Sequence, residues 1–185
     1  MTDFERYDKI RFCIRCGSKL TLKSDREGKI RPICENCGWV YYKNPVPASA
    51  CVVFNEKNQL LIIKRKFEPS AGSWALPSGY IEIEQTPSET SVEELLEETG
   101  LMGKVKNFLG YFVGSSSVYE SIISFGFLLE KTGGLLMAGD DAEDAMFVNI
   151  KDLPDIPFDA HRFFINKALE IKNIKPIYEK IIWRG

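Results

Sequence analysis

Apolar positions follow two rhythms along this chain. In the first they form nearly continuous runs, at 49–55 and 59–66, separated by the turn-like Glu56-Lys57-Asn58. This spacing predicts two strands of a hairpin. Residues 104–113, 122–130 and 145–150 read as further strands, and 19–22 and 29–33 as two short ones around a turn at 25–28. The second rhythm is helical: residues 157–171 carry Phe163, Phe164, Ala168, Leu169 and Ile171 at core spacing. Strands on both sides of a central helix, with another helix at the end, predict an α+β fold with helices packed on a mixed sheet. Pro45 and Pro47 interrupt regular pairing, so a small domain at 1–43 and a main domain at 44–185 are expected.

The central helix is punctuated locally. Thr86 suits the N-cap, Pro87 the first helical position, and Glu89 completes a capping box. Gly100 suits the left-handed residue that closes a helix, with Leu101 folded back on Leu96. At about 100° per residue, Val92, Leu95 and Leu96 share one face, while Glu94, Glu97 and Glu98 gather on nearly the opposite one. Two carboxylates about 5 Å apart repel by about 3 kcal/mol at an effective dielectric of ~20. A cluster of three calls for a cation, raised pKa values or free solvent. Its hard oxygens suit Mg²⁺ or Mn²⁺; a solvated acidic face is the competing reading.

Four cysteines form two C-x-x-C pairs, Cys13/Cys16 and Cys34/Cys37, with Gly17 and Gly38 directly after them. A C-x-x-C turn sets two thiolates on one side of a tight loop, and two facing turns give a tetrahedral S₄ site. The spacing predicts a structural zinc ribbon, with no ligand position left open for catalysis. Cys51 lies in an apolar run and reads as a core thiol.

Apolar residues make up 44% of the chain and aromatics 12%, enough for a real core. The net charge of −2 is unevenly spread: residues 11–43 sum to +5 and the remainder to −7. The basic segment suggests contact with phosphates or nucleic acid, a solvated surface being the alternative. The polar start and the absence of long apolar stretches lead us to expect a protein without membrane spans, cytoplasmic and reducing.

The stretch from Leu76-Pro77-Ser78-Gly79 to Gly100-Leu101 resembles the Nudix hydrolases, whose motif is G-x5-E-x7-R-E-U-x-E-E-x-G-U, with U a bulky aliphatic. Counting from Gly79, the match holds at Glu94, Leu95, Glu97, Glu98, Gly100 and Leu101. Gln85 stands where the motif has its first glutamate, and Glu93 where it has arginine. The two changes suggest a coupled replacement, a Gln85 amide meeting Glu93. With the ribbon, Lys64-Arg65-Lys66 and Leu153-Pro154-Asp155-Ile156-Pro157-Phe158, the chain is similar to a zinc-ribbon-bearing subgroup that includes plant plastid FAD/ADP-ribose pyrophosphatases. The Ser-Gln-Pro-Trp-type motif of the NADH pyrophosphatases is not found after Leu101.

This resemblance implies an α/β/α sandwich with a mixed sheet behind a zinc ribbon. It implies divalent-metal-dependent cleavage of a nucleoside diphosphate linked to another moiety, such as FAD, ADP-ribose or a related dinucleotide. Glu94, Glu97 and Glu98 would bind Mg²⁺ or Mn²⁺, with the Gly79 carbonyl as a further ligand. Asp141, in the acidic run at 139–144, is a further candidate carboxylate, and Arg65 a phosphate contact. Trp74, Trp39, Tyr41 and Tyr42 are candidates for stacking on a flavin or adenine, although the last three better suit packing at the junction of ribbon and main domain. His161 reads as a structural residue. The alternative is a weakened domain that senses a nucleotide while the basic ribbon contacts nucleic acid or protein. A homodimer is left open.

Overall fold

The computed structural model describes residues 7, 10–116 and 118–179. Two compact units result, Met1–Asn44 and Pro45–Gly185. In the first, β1 (Leu20–Ser24) and β2 (Ile30–Cys34) form an antiparallel hairpin in which Leu22 faces Pro32. Asp25 shapes its turn by accepting the Glu27 and Lys29 N–H groups at 2.8 and 2.9 Å. A short carboxylate that satisfies nearby backbone donors favours such a turn over continued strand.

The second unit runs β3 (Val46–Val53), β4 (Leu60–Arg65), β5 (Trp74–Ala75), β6 (Ser78–Tyr80), α1 (Pro87–Thr99), β7 (Leu101–Ser116), β8 (Glu120–Gly134), β9 (Ala142–Val148) and α2 (Asp159–Ile171). One sheet has the order β6-β3-β8-β7; it is mixed, because β3 is parallel to β8 and antiparallel to β6. The other has the order β5-β4-β9. Ala50 and Val52 of β3 join Phe164, Ile165 and Ala168 of α2 in one buried cluster. Cys51 and Val53 join Leu95 of α1, Leu101 and Phe127 in another. Alternate side chains of β3 are thus buried on opposite faces under different helices, which is why its sequence is continuously apolar. The α+β class, the mixed sheet and the two helices agree with expectation.

Three details differ. The segments 49–55 and 59–66 are adjacent but not a hairpin: they share the single bridge Phe54↔Leu60 and then enter different sheets. Each is an inner strand of its own sheet and has two other partners, β6 and β8 for β3, β5 and β9 for β4. Leu96 is 50% exposed, and Leu101 packs with the Leu95 cluster instead. Ile171, at the last position of α2, is 46% exposed. In both cases a step of about 100° turns the side chain off the face that meets the sheet. The strands β5 and β6, two and three residues long, are too short for periodicity to reveal. Among the described residues no helix is long and apolar enough to cross a membrane.

Candidate active site

The ends of α1 are fixed as the sequence predicts. Thr86 Oγ1 accepts the Glu89 N–H at 3.3 Å, and Glu89 Oε2 accepts the Thr86 N–H at 2.8 Å. Gly100 closes the helix at φ 67°, where a Cβ would also meet the Leu135 carbonyl at 2.6 Å. With both ends set, the glutamates have a fixed axial position. Their lateral setting comes from elsewhere. Glu98 is 2% exposed, and its Oε2 accepts the Ser78 N–H at 2.9 Å. A Cβ on Gly79 would lie 1.7 Å from Glu94 Oε1, so any side chain there would displace the carboxylate. The next segment is stitched over the helix end: Met137 N–H donates to Thr99 O at 3.0 Å, and Gly139 N–H to Glu98 O at 3.1 Å. The Lys66 N–H, beyond β4, then holds the Asp141 carbonyl at 2.8 Å.

This setting makes ionisation of Glu94 and Glu98 difficult. Burial pushes Glu98 up to about 8, against the opposing pull of the Ser78 N–H, and Glu94, Arg65 and Asp141 add smaller effects of both signs. Burial also raises Glu94 to about 7, followed by the charges of Glu97, Asp140, Asp141 and Glu93. Glu97 is exposed. Partly desolvated carboxylates that repel one another form a hard-oxygen donor set that suits a small divalent cation. The glutamates are nevertheless less tightly gathered than the cysteines. Among the described residues, Cys13, Cys16, Cys34 and Cys37 alone bring three or more donor atoms within 4.8 Å of one another.

In the ribbon, Cys13 and Cys37 Sγ lie 3.6 Å apart, and Cys16 and Cys34 Sγ 3.4 Å apart. A tetrahedron with metal–sulfur bonds of about 2.3 Å has edges of about 3.8 Å, so the four sulfurs fit zinc. Gly17 and Gly38, at φ 72° and 73°, return N–H bonds of 2.8 Å to Cys13 O and Cys34 O. These are the two tight loops the spacing predicts. Cys51 stands apart from them, fully buried in β3.

Residues 44–167 match the family model described as NUDIX domain, and residues 11–43 the one described as Nudix N-terminal. The chain belongs to the Nudix hydrolase family. It is 41% identical over 122 residues to an ADP-ribose pyrophosphatase from Methanocaldococcus jannaschii, covering 65% of this chain and 72% of that one. It is 26% identical over 151 residues to the NAD-capped RNA hydrolase NudC of Haemophilus influenzae, covering 80% of this chain and 54% of that protein, so the chain spans about half the length of this relative. The fold is similar to that of a NUDIX hydrolase from Nitrosomonas europaea, with TM-score 0.75 and 22% identity over 91% of this chain and 97% of that one.

The two departures from the Nudix motif meet in space. The Gln85 side-chain N–H donates to the Glu93 carboxylate, while Gln85 Oε1 accepts the Glu82 N–H at 3.0 Å and Thr90 Oγ1–H at 3.1 Å. The amide thus bridges the loop to the helix. Among the other candidates, Arg65 ends β4, with its Nε donating to Pro69 O at 3.2 Å and its charge favouring ionised Glu98. Trp74 packs against the α2-side core. Trp39 and Tyr41 pack on each other at 5.7 Å within the ribbon, and Tyr42 lies under Arg31 at 4.6 Å. His161 is buried, with Nδ1 accepting the Leu76 N–H at 3.2 Å, a structural role. Sequence reasoning missed Tyr80 and Tyr119. Their rings meet edge-on at 5.4 Å, both about half exposed, with Tyr80 directly after Gly79. Only the position of Tyr80 beside the motif glycine hinted at this; Tyr119 is brought in by the β7–β8 hairpin.

Proposed function

We propose that this Nudix hydrolase cleaves the pyrophosphate of ADP-ribose or of a related nucleoside diphosphate derivative such as FAD, using Mg²⁺ or Mn²⁺. The observation that carries this reading is the burial of Glu98 on the Ser78 N–H beside the Gly79–Glu94 contact. A carboxylate so placed, with Glu94 next to it, gains most from a bound cation. Glu94, Glu97 and Glu98 would hold the divalent ion, which supplies charge neutralisation for the pyrophosphate and acidifies a bound water. Asp141, tied to the end of β4, stands ready as a further carboxylate. Arg65 would pair two phosphate oxygens. The exposed Tyr80–Tyr119 pair would flank a planar ring of the substrate; Trp74, engaged in the core, is the weaker candidate for that task. Water attacks one phosphorus, a carboxylate of the cluster takes its proton, and the other phosphate departs. From ADP-ribose the products are AMP and ribose 5-phosphate, and from FAD they are AMP and FMN. The four cysteines would hold one structural zinc.

The similarity to the M. jannaschii ADP-ribose pyrophosphatase favours ADP-ribose as first substrate. The Gln85–Glu93 contact supports an intact enzyme over a nucleotide sensor, because it keeps the loop tied to the metal helix despite both replacements. Incubation with Mg²⁺ and a panel of ADP-ribose, FAD and NADH should release phosphomonoesters, fastest from ADP-ribose. Glu98→Gln, which keeps an acceptor for Ser78, should lower kcat by about 100-fold or more, the scale of losing a group aimed at transition-state charge. Tight binding of ADP-ribose without turnover in the unmutated protein would instead establish the sensor.

A further inference from the structure

The acidic side chains of the ribbon are all engaged from within. Asp25 pairs with Arg31 at 2.7 Å, Glu27 with Lys29 at 2.9 Å and Glu35 with Lys23 at 2.5 Å. These are the three acids between residues 11 and 43. The surplus positive charge therefore resides on cations that no carboxylate of this segment reaches. Four of them, Arg11, Arg15, Lys19 and Arg26, make no ion pair, side-chain hydrogen bond or ring contact among the described residues; Arg26 is in the turn between β1 and β2, which leaves Arg11, Arg15 and Lys19.

All three stand at the first cysteine loop. Arg11 O accepts the Leu20 N–H at 2.8 Å, Phe12 and Lys19 are bridged antiparallel, and Arg15 lies between Cys13 and Cys16. Two large apolar side chains share this loop and are left outside: Phe12 is 63% exposed and Ile14 83% exposed. Neither belongs to the ribbon core, which is Cys13, Leu20 and Cys34 with Ile10 and Trp39. A merely solvated basic loop does not call for an exposed phenyl ring between Arg11 and Arg15 in the chain. Single-stranded nucleic acid calls for that combination: cations for its phosphates and an exposed ring for its base faces. A duplex keeps its bases stacked inside and offers the ring nothing to stack on.

We propose that the first cysteine loop, through Arg11, Phe12, Ile14, Arg15 and Lys19, is a binding surface for single-stranded nucleic acid. The surface belongs to the first unit and the glutamate cluster to the second, and the proposal does not depend on the hydrolase reading. The test is fluorescence anisotropy of the full chain, purified with its zinc and assayed without added Mg²⁺. The probes are labelled oligouridine of about 20 nucleotides, the matching DNA strand and a duplex of the same length, each spanning more than one single-strand site. Binding should weaken with salt at a log–log slope of about −2, which is three cations at about −0.7 each. Replacing Arg11, Arg15 and Lys19 together by Gln should weaken binding at least about tenfold and bring the slope near zero. Phe12→Ala should weaken it by about fivefold or more with the slope unchanged. Glu98→Gln should bind as the unmutated chain does. Zinc content and thermal melting serve as fold controls for each variant. Binding of either single strand supports the proposal. No binding at low salt, undiminished binding by the triple variant, loss of binding in Glu98→Gln, or a duplex bound as tightly as a single strand would overturn it.

Discussion

The cysteine cluster and the glutamate cluster are assembled in opposite ways. The cysteines sit on two loops whose shapes are written into six residues, three in each of two five-residue stretches: each C-x-x-C pair and the glycine after it. Bonds of 2.8 Å from Gly17 and Gly38 close those loops on their own residues. The one nonlocal requirement is that β1 and β2 pair, which brings the loops face to face. The glutamates share a single helix, yet their environment is built by Ser78 and Gly79 of β6 and by Gly139 to Asp141 before β9. A cluster of soft thiolates can thus be placed almost entirely by local geometry. A cluster of carboxylates acquires its chemistry only when distant backbone desolvates it.

That contrast can be broken at either end. The largest effect should come from the ribbon, where a structural zinc would contribute a binding free energy of about 10 kcal/mol or more to folding. Cys34→Ser, or removal of zinc by a chelator, should abolish amide-exchange protection across β1 and β2. Retained protection would show that the hairpin stands without its metal. Next comes Gly79→Ala, whose methyl must displace the Glu94 carboxylate. It should lower kcat/KM by about tenfold or more, the scale expected for a misplaced catalytic group, while circular dichroism stays native. Unchanged kinetics would mean that Glu94 does not need its observed position.

A smaller effect tests the segment that leads into β6. Burial, aided by the Arg65 charge, pulls His161 down to about 3, and its Nδ1 accepts the Leu76 N–H. An unfolded histidine titrates near 6.5. Between these values the unfolded chain binds the extra proton, so this contribution to stability is complete above pH ~6.5 and falls as the pH drops. At pH ~5.5 the loss should be about 1 kcal/mol, and His161→Gln should remove it. A stability–pH profile identical in the two proteins would assign the acid sensitivity elsewhere. The smallest effect concerns Gln85 and Glu93. Reverting both, Gln85→Glu with Glu93→Arg, should be milder than the sum of the single changes by about 0.5 kcal/mol or more. Strict additivity in denaturant melts would break the coupling.

Legibility in the sequence follows the same division. The limits of α1 were readable from Thr86, Pro87, Glu89 and Gly100 because each acts within one helical turn. The burial of Phe164, Ala168 and Leu169 was readable from period. The pairing of 49–55 was not, since its neighbours β6 and β8 begin tens of residues away and an apolar strand does not specify which apolar strand it adjoins. Leu96 and Ile171 were misjudged because hydrophobicity alone does not tell where a helix leaves the sheet it covers.

By itself, then, the sequence determined the two cysteine loops, the punctuated helix with Glu94, Glu97 and Glu98 on one side, and the succession of strands around it. Each rests on forces acting between residues a few positions apart. Tertiary structure alone decided that Glu98 is buried and Glu97 exposed, and that Tyr119 is carried to Tyr80. Desolvation and ring contact depend on which distant segments arrive, and no local spacing encodes that arrival.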